Sequence, residues 1–234
     1  MILKRVALVV MAVMLIAASS SVAETAVDTI LNVGTTQAFT DEAVPVDDLN
    51  TIMQAGLSAA SAINQQPWFF VAVTNQELMK EIAGSGMSFA PPAGAAGKPE
   101  GAPEGSAPQG DKGSMPAAPA SSGGAKAGFG DSPAAIIIYR NDSSKSPNAD
   151  FDCGLAAQNM VIAASALGYG VKIVSSPTMA LNGENHDALC EKLGVDSSMQ
   201  AVAVVLIGRS DSAVDATSSA STRESLEAKT NIIE

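Results

Sequence analysis

Apolar residues recur at helical spacing through Leu49, Ile52, Met53 and Leu57, directly after Asp47 and Asp48, either of which can cap the helix they open. The run 68–73 is apolar and closes on the polar pair Thr74-Asn75, the pattern of a buried strand, and 76–83 reads as a short helix. Ile136, Ile137 and Ile138 stand in a row within 134–139, which predicts a central strand covered on both faces. Residues 150–167 predict the longest helix, carried by Phe151, Leu155, Ile162 and many alanines and stopped at Gly168. Its alanines and Gly154 would let another helix approach closely. A strand over 171–174, a helix over 185–193 ending at Gly194, a last strand over 201–207 and a terminal helix over 223–229 complete the pattern. This order predicts an α+β fold, a sheet with helices on both sides.

Residues 90–128 break the pattern. Of these 39 residues, 27 are Ala, Gly or Pro, and neither helix nor strand period runs through them. Such a stretch cannot bury enough apolar surface to offset its ordering entropy, so it reads as a disordered, low-complexity insertion: a lid, a cell-wall spacer or a tolerated surface excursion. The beginning also stands apart. Lys4 and Arg5 precede an apolar stretch over 6–18, and Ser21-Val22-Ala23 offers small residues for cleavage. Residues 1–23 thus read as a signal peptide, with an uncleaved anchor as the alternative, and 24–234 as the folded domain. The apolar stretch is short for a stable membrane anchor, and no cysteine follows it to take a lipid. The expected location is outside the cytoplasm: periplasm, cell envelope or medium.

Composition narrows the chemistry. Hydrophobic residues make up 47% and charged residues 16%, which excludes a wholly disordered chain. The net charge is −11; loss of Lys4 and Arg5 with the leader would leave 11 basic against 24 acidic residues, or −13. A nucleic-acid partner is not expected of so acidic a chain. Two cysteines and one histidine exclude a multi-disulfide scaffold and a zinc site of clustered Cys and His. Cys153 and Cys190 could pair in an oxidising compartment, but Cys153 reads first as a packed thiol. His186, in the run Asn182-Gly183-Glu184-Asn185-His186-Asp187, reads as a helix-start residue, and Arg209 and Lys172 are further basic candidates with no motif behind them that read first as solvated cations.

Three stretches, in order, resemble the nitroreductase family of flavin-dependent oxidoreductases. The first is Ala59-Ala60-Ser61-Ala62-Ile63-Asn64-Gln65-Gln66-Pro67-Trp68 with Phe69-Phe70-Val71-Ala72-Val73 behind it. The second is Asp152-Cys153-Gly154-Leu155-Ala156-Ala157-Gln158-Asn159, continuing to Ala166-Leu167-Gly168-Tyr169-Gly170. The third is Lys192-Leu193-Gly194-Val195 and the strand up to Gly208. The resemblance implies a nitroreductase-like fold with a central mixed sheet, an intertwined homodimer and FMN at the subunit interface. It further implies ping-pong electron transfer from NAD(P)H to a nitroaromatic, quinone or similar small-molecule acceptor. Flavin carries the redox chemistry on its own ring, so no catalytic side chain is expected of the protein.

The family positions carry over as follows. Ser61 and Asn64 match polar residues near the flavin, and equally suit a turn between helix and strand. Ser175 and Ser176 fall in the loop that the family packs against the flavin ring, and suit any loop. The family's opening Arg-x-Ser-x-Arg motif, which holds the FMN phosphate, is replaced by Val33-Gly34-Thr35-Thr36-Gln37. Thr35 and Gln37 then become the phosphate-side candidates, and FMN should be held weakly, or another flavin taken in its place, because charge-assisted bonds are about twice as strong as neutral ones. Arg223 resembles the family's C-terminal basic residue, and also suits an exposed terminal helix. Nicotinamide cofactors are not normally available outside the cytoplasm, so an extracytoplasmic donor is the alternative to NAD(P)H. The alternative function is a non-catalytic flavin- or small-molecule-binding protein that keeps the fold.

Overall fold

The centre of the computed structural model is the strand β2, Ala134–Asn141, in which every residue from Ala134 to Tyr139 is fully buried. The structure describes residues 27–85, 128–212 and 224–233. The signal-peptide segment, nearly all of the 90–128 insertion and Arg223 lie outside the described residues. On one side β2 pairs with β1, Trp68–Val73; on the other it pairs with β4, Met199–Gly208, which in turn carries β3, Gly170–Val174, at the edge. All three pairings are antiparallel; the parallel pairing that would make the sheet mixed is not among the described residues.

Side-chain alternation splits the β2 isoleucines between two cores, which is why an unbroken apolar run is needed here. Ile136 and Ile138 face the helices α1, Val46–Leu57, and α3, Ala149–Ala166. Ile137 and Tyr139 face α2, Gln76–Ser85; α4, Ser176–Leu181; and α5, His186–Leu193. Cys153 lies in the first core and Cys190 in the second, so the sheet separates them and both are free thiols. Burial pushes the Cys153 thiol up to about 12. A short helix α6, Leu226–Lys229, follows near the end of the chain.

The expected strands and most expected helices are present, with three differences. Asp47 and Asp48 do not cap α1: Pro45 holds the cap position, and the two acids sit in the first turn, where the helix dipole favours them. Residues 176–181, expected as loop, form α4, which is too short to show a helical repeat in sequence. Finally, α3 buries alanines on its core face but only half-buries Leu155 and Ile162 and leaves Phe151 exposed. Its core face is Cys153, Ala156, Ala157, Met160, Val161 and Ala164, whereas Phe151 is 66% exposed and an added Cβ on Gly154 would meet nothing. Phe151 and Gly154 thus mark a face that the other described residues leave uncovered.

His186 fastens α5. Its Nδ1 lies 2.6 Å from the Leu181 carbonyl oxygen and its Nε2 lies 2.9 Å from that of Ser197. Only the doubly protonated ring donates from both nitrogens, and the bond to Leu181, then that to Ser197, raises its pKa above 6.5 against a smaller opposing effect of burial. The stabilisation is thus fully present below the unfolded value and is lost as pH rises through the higher folded one. Thermal melts should show His186→Ala losing more stability near pH 6 than near pH 8; equal losses at both would contradict the charged clamp.

Candidate functional site

The open edge of β3 is lined by the segment 33–37. The Thr36 amide donates to the Val171 carbonyl at 2.8 Å and fixes the segment alongside the strand. The close approach needs Gly170, because a Cβ there would stand 2.5 Å from Thr36 Oγ1. Thr36 and Ala38 are buried while Gln37 is exposed and Thr35 half-buried, so the alternating Thr35 and Gln37 share the outward side.

Two adjoining cavities open here and share Gly34, Thr35 and Val171. One, of 350 Å³, is lined further by Thr36, Ser165, Tyr169 and Ser210. The other, of 230 Å³, combines apolar Val33, Val161 and Ile173 with the polar Gln158 and Lys172. Lys172, expected to be solvated, extends its Nζ to 3.2 Å from Gln37 Oε1 and places a positive charge on the side shared with Thr35. Arg209 is not simply solvated either. It donates to the Gly168 carbonyl at 2.8 Å, lies 4.3 Å over the Tyr169 ring and approaches Glu42 at 3.6 Å. Tyr169 donates to Asp48 at 2.5 Å, and burial followed by that bond pushes its pKa up, so the hydroxyl stays neutral.

Ser61 and Asn64 lie elsewhere in the same chain. Their loop docks on the first turn of α3, where the 2%-exposed Asp152 accepts the Ala62 amide at 3.2 Å on each carboxylate oxygen and the Ser146 hydroxyl at 2.6 Å. Ser61 Oγ accepts the Gln66 amide at 2.9 Å, and Asn64 Oδ1 accepts Gln66 Nε2 at 3.1 Å. Three non-glycine residues here adopt positive φ: Ile63 at 47°, Asn64 at 55° and Gln66 at 45°. Strain of this kind costs on the order of 1–3 kcal/mol per residue and persists only where the surroundings hold it. The cavities at Thr35 reach Gln158, Val161 and Ser165 farther along α3; at 1.5 Å per residue, these stand from ~9 Å to ~20 Å from Asp152 along the axis.

Ser175 caps α4, its carbonyl accepting the Thr178 amide at 3.0 Å and hydroxyl at 2.7 Å. Ser176 lines a separate 430 Å³ cavity with Lys80, Phe129 and Pro177. The structure thus brings Thr35, Gln37 and Lys172 together and leaves Ser61 with Asn64, and Ser176, at separate places. Arg223 is outside the described residues. A further cavity, of 490 Å³, is an open groove along 140–151 whose Arg140 pairs with Asp142 and Asp150, each at 2.6 Å. Sequence reasoning missed Asp152, and it named Lys172 only as a basic candidate without a motif, read first as solvated. Asp152 was within its reach, as the one acidic residue of the stretch Asp152–Asn159. Among the described residues no cluster of three His, Cys, Asp or Glu could hold a metal ion, and no helix is long and apolar enough to cross a membrane.

Comparison with known proteins adds the following. The model of the Nitroreductase family matches residues 34–209. A Methanothermobacter thermautotrophicus protein, named as a candidate NADH dehydrogenase/NAD(P)H nitroreductase, is 27% identical over 135 residues, 56% of this chain and 51% of its own length. The match therefore spans about half of that curated relative. Among solved structures, a nitroreductase with bound FMN from Desulfitobacterium hafniense superposes with a TM-score of 0.67 at 21% identity, covering 90% of this chain and 98% of the other. A nitroreductase with bound FMN from Bacteroides fragilis gives 0.64 at 20%, covering 89% and 98%. At these identities the likeness speaks for the fold.

Proposed function

Because the family model covers most of its length, the chain belongs to the nitroreductase family, and from that premise we propose that it is an exported, homodimeric flavin oxidoreductase. Its cofactor would be FMN, and it would pass electrons from NAD(P)H or an extracytoplasmic donor to a nitroaromatic, quinone or similar acceptor. One observation carries the reading: the site is split. Thr35, Gln37 and Lys172 line one cleft, while the strained loop bearing Ser61 and Asn64 sits toward the far end of α3 and faces outward. Leu57, Ile63 and Phe151, exposed by 46%, 78% and 66%, flank that loop. Bare apolar side chains rimmed by polar ones mark an interaction surface, and a second copy would both cover them and bring its own loop to the first copy's cleft.

The donor set suits a flavin. A flat apolar ring with a polyhydroxyl tail needs apolar walls and neutral hydrogen-bonding groups, and the cavities supply Val33, Val161 and Ile173 with Thr35, Gln158 and Ser165. The 350 Å³ cavity alone reaches the size of small-molecule sites, about 300–1,000 Å³, and the 230 Å³ cavity adjoins it. When bound, the flavin would supply the ring that takes and gives electrons, which is why no acid–base triad is asked of the protein. Thr35 and Gln158 would orient the tail, and the partner's loop would exclude water from the ring. Arg223 is proposed as a further cation near the phosphate. Export rests on the charged start and apolar stretch of residues 1–23.

A second reading keeps the fold and a ligand without turnover; the missing arginine pair at 33–37 favours it. Purified protein loaded with FMN separates the two. The oxidoreductase reading expects the yellow colour to bleach with NADH, NADPH or a quinol and to return when a nitroaromatic or quinone is added. A chain that binds FMN but exchanges electrons with none of these is the binding protein instead.

A further inference from the structure

Resting on the flavin reading above, we propose that Lys172 is the specificity-determining residue for the phosphomonoester end of the flavin, replacing charge that the 33–37 segment lacks. Val33, Gly34, Thr35, Thr36 and Gln37 are all neutral, and the Thr36 amide is already given to Val171. Hydroxyls and amides alone would distinguish poorly between a flavin that ends in a hydroxyl and one that ends in a dianionic phosphate, whose charge near neutral pH is about −1.5 to −2. A cation at the same place changes this.

Lys172 is on the edge strand β3, half-buried at its base, and lines the 230 Å³ cavity together with Thr35. Among its contacts, its ammonium donates to the Gln37 amide oxygen at 3.2 Å, which places the charge beside the 33–37 segment. The neighbouring Arg209 is engaged by the Gly168 carbonyl, the Tyr169 ring and Glu42. A lysine acts on phosphate as a point charge rather than as a planar fork, so one flexible ammonium suits a segment with no second charged residue to fix the phosphate's orientation.

FMN and riboflavin differ only in the phosphate, which makes them the probes. Quenching of flavin fluorescence by the full chain gives both affinities for the wild type, Lys172→Gln and Lys172→Arg. The wild type should prefer FMN over riboflavin by about tenfold, as expected for one charge-assisted contact. Lys172→Gln should remove most of that preference by weakening FMN alone and leave riboflavin within about twofold; Lys172→Arg should restore it. A preference for FMN that survives in Lys172→Gln, or a wild type that binds the two alike, overturns the role of Lys172 and leaves the flavin reading standing. A wild type that binds neither flavin overturns both.

Discussion

Asp152→Ala should destabilise the protein by about 2–4 kcal/mol and weaken flavin binding. The carboxylate is 2% exposed, takes the Ala62 amide on both oxygens and takes the Ser146 hydroxyl at 2.6 Å. Truncation leaves the half-buried Ala62 amide and Ser146 hydroxyl without this acceptor, at a cost of up to about 1–3 kcal/mol each where water does not replace it. The loss also releases the clamp on Ile63, Asn64 and Gln66, whose positive φ values are unfavourable without it. Asp152→Asn keeps shape and one acceptor oxygen, so it should recover part of both effects. Urea denaturation gives the first quantity and flavin titration the second. Wild-type stability and affinity in Asp152→Ala would show that the loop holds itself.

Gly170→Ala should be the second large effect, about 1–3 kcal/mol from overpacking, with loss of flavin affinity. The new methyl would stand 2.5 Å from Thr36 Oγ1, 3.0 Å from its Cγ2 and 3.2 Å from its Cβ. Rotating the threonine cannot clear both γ contacts, because a β-branched side chain fills two of its three staggered positions, and it leaves the Cβ contact unchanged, so the 33–37 segment must draw away from β3 and give up the 2.8 Å bond from Thr36 to Val171. Combining Gly170→Ala with Thr36→Ala removes the hydroxyl and methyl, and the pair should be less damaging than the two single losses added. Strict additivity in that cycle would contradict the close approach.

Much of the fold was legible because both its periods are strong. The apolar runs at 68–73 and 134–139 became β1 and β2, and Gly168 and Gly194 end their helices at φ 80° and 66°. The helix α4 was not legible: six residues beginning Ser-Pro carry no repeat. The packing of α3 was hidden for a different reason. A helix apolar all round does not say which face belongs to its own chain, and Phe151, the largest side chain that marked it, points away from the core. The cleft was half legible. Thr35 and Gln37 followed from the family pattern, but Lys172 meets Gln37 across 135 positions, and Asp152 meets Ala62 across 90. Such pairings are made by the sheet and by α3, and nothing local in the sequence announces them.

The account turns on a flavin cleft completed by a second subunit. Sedimentation of the purified chain through an FMN titration, followed at the flavin's visible band, tests both halves at once. The account predicts FMN travelling with a dimer at one flavin per chain, with the flavin lost when the dimer is diluted apart. A monomer that carries FMN, or a dimer that stays colourless at saturating FMN, would contradict it.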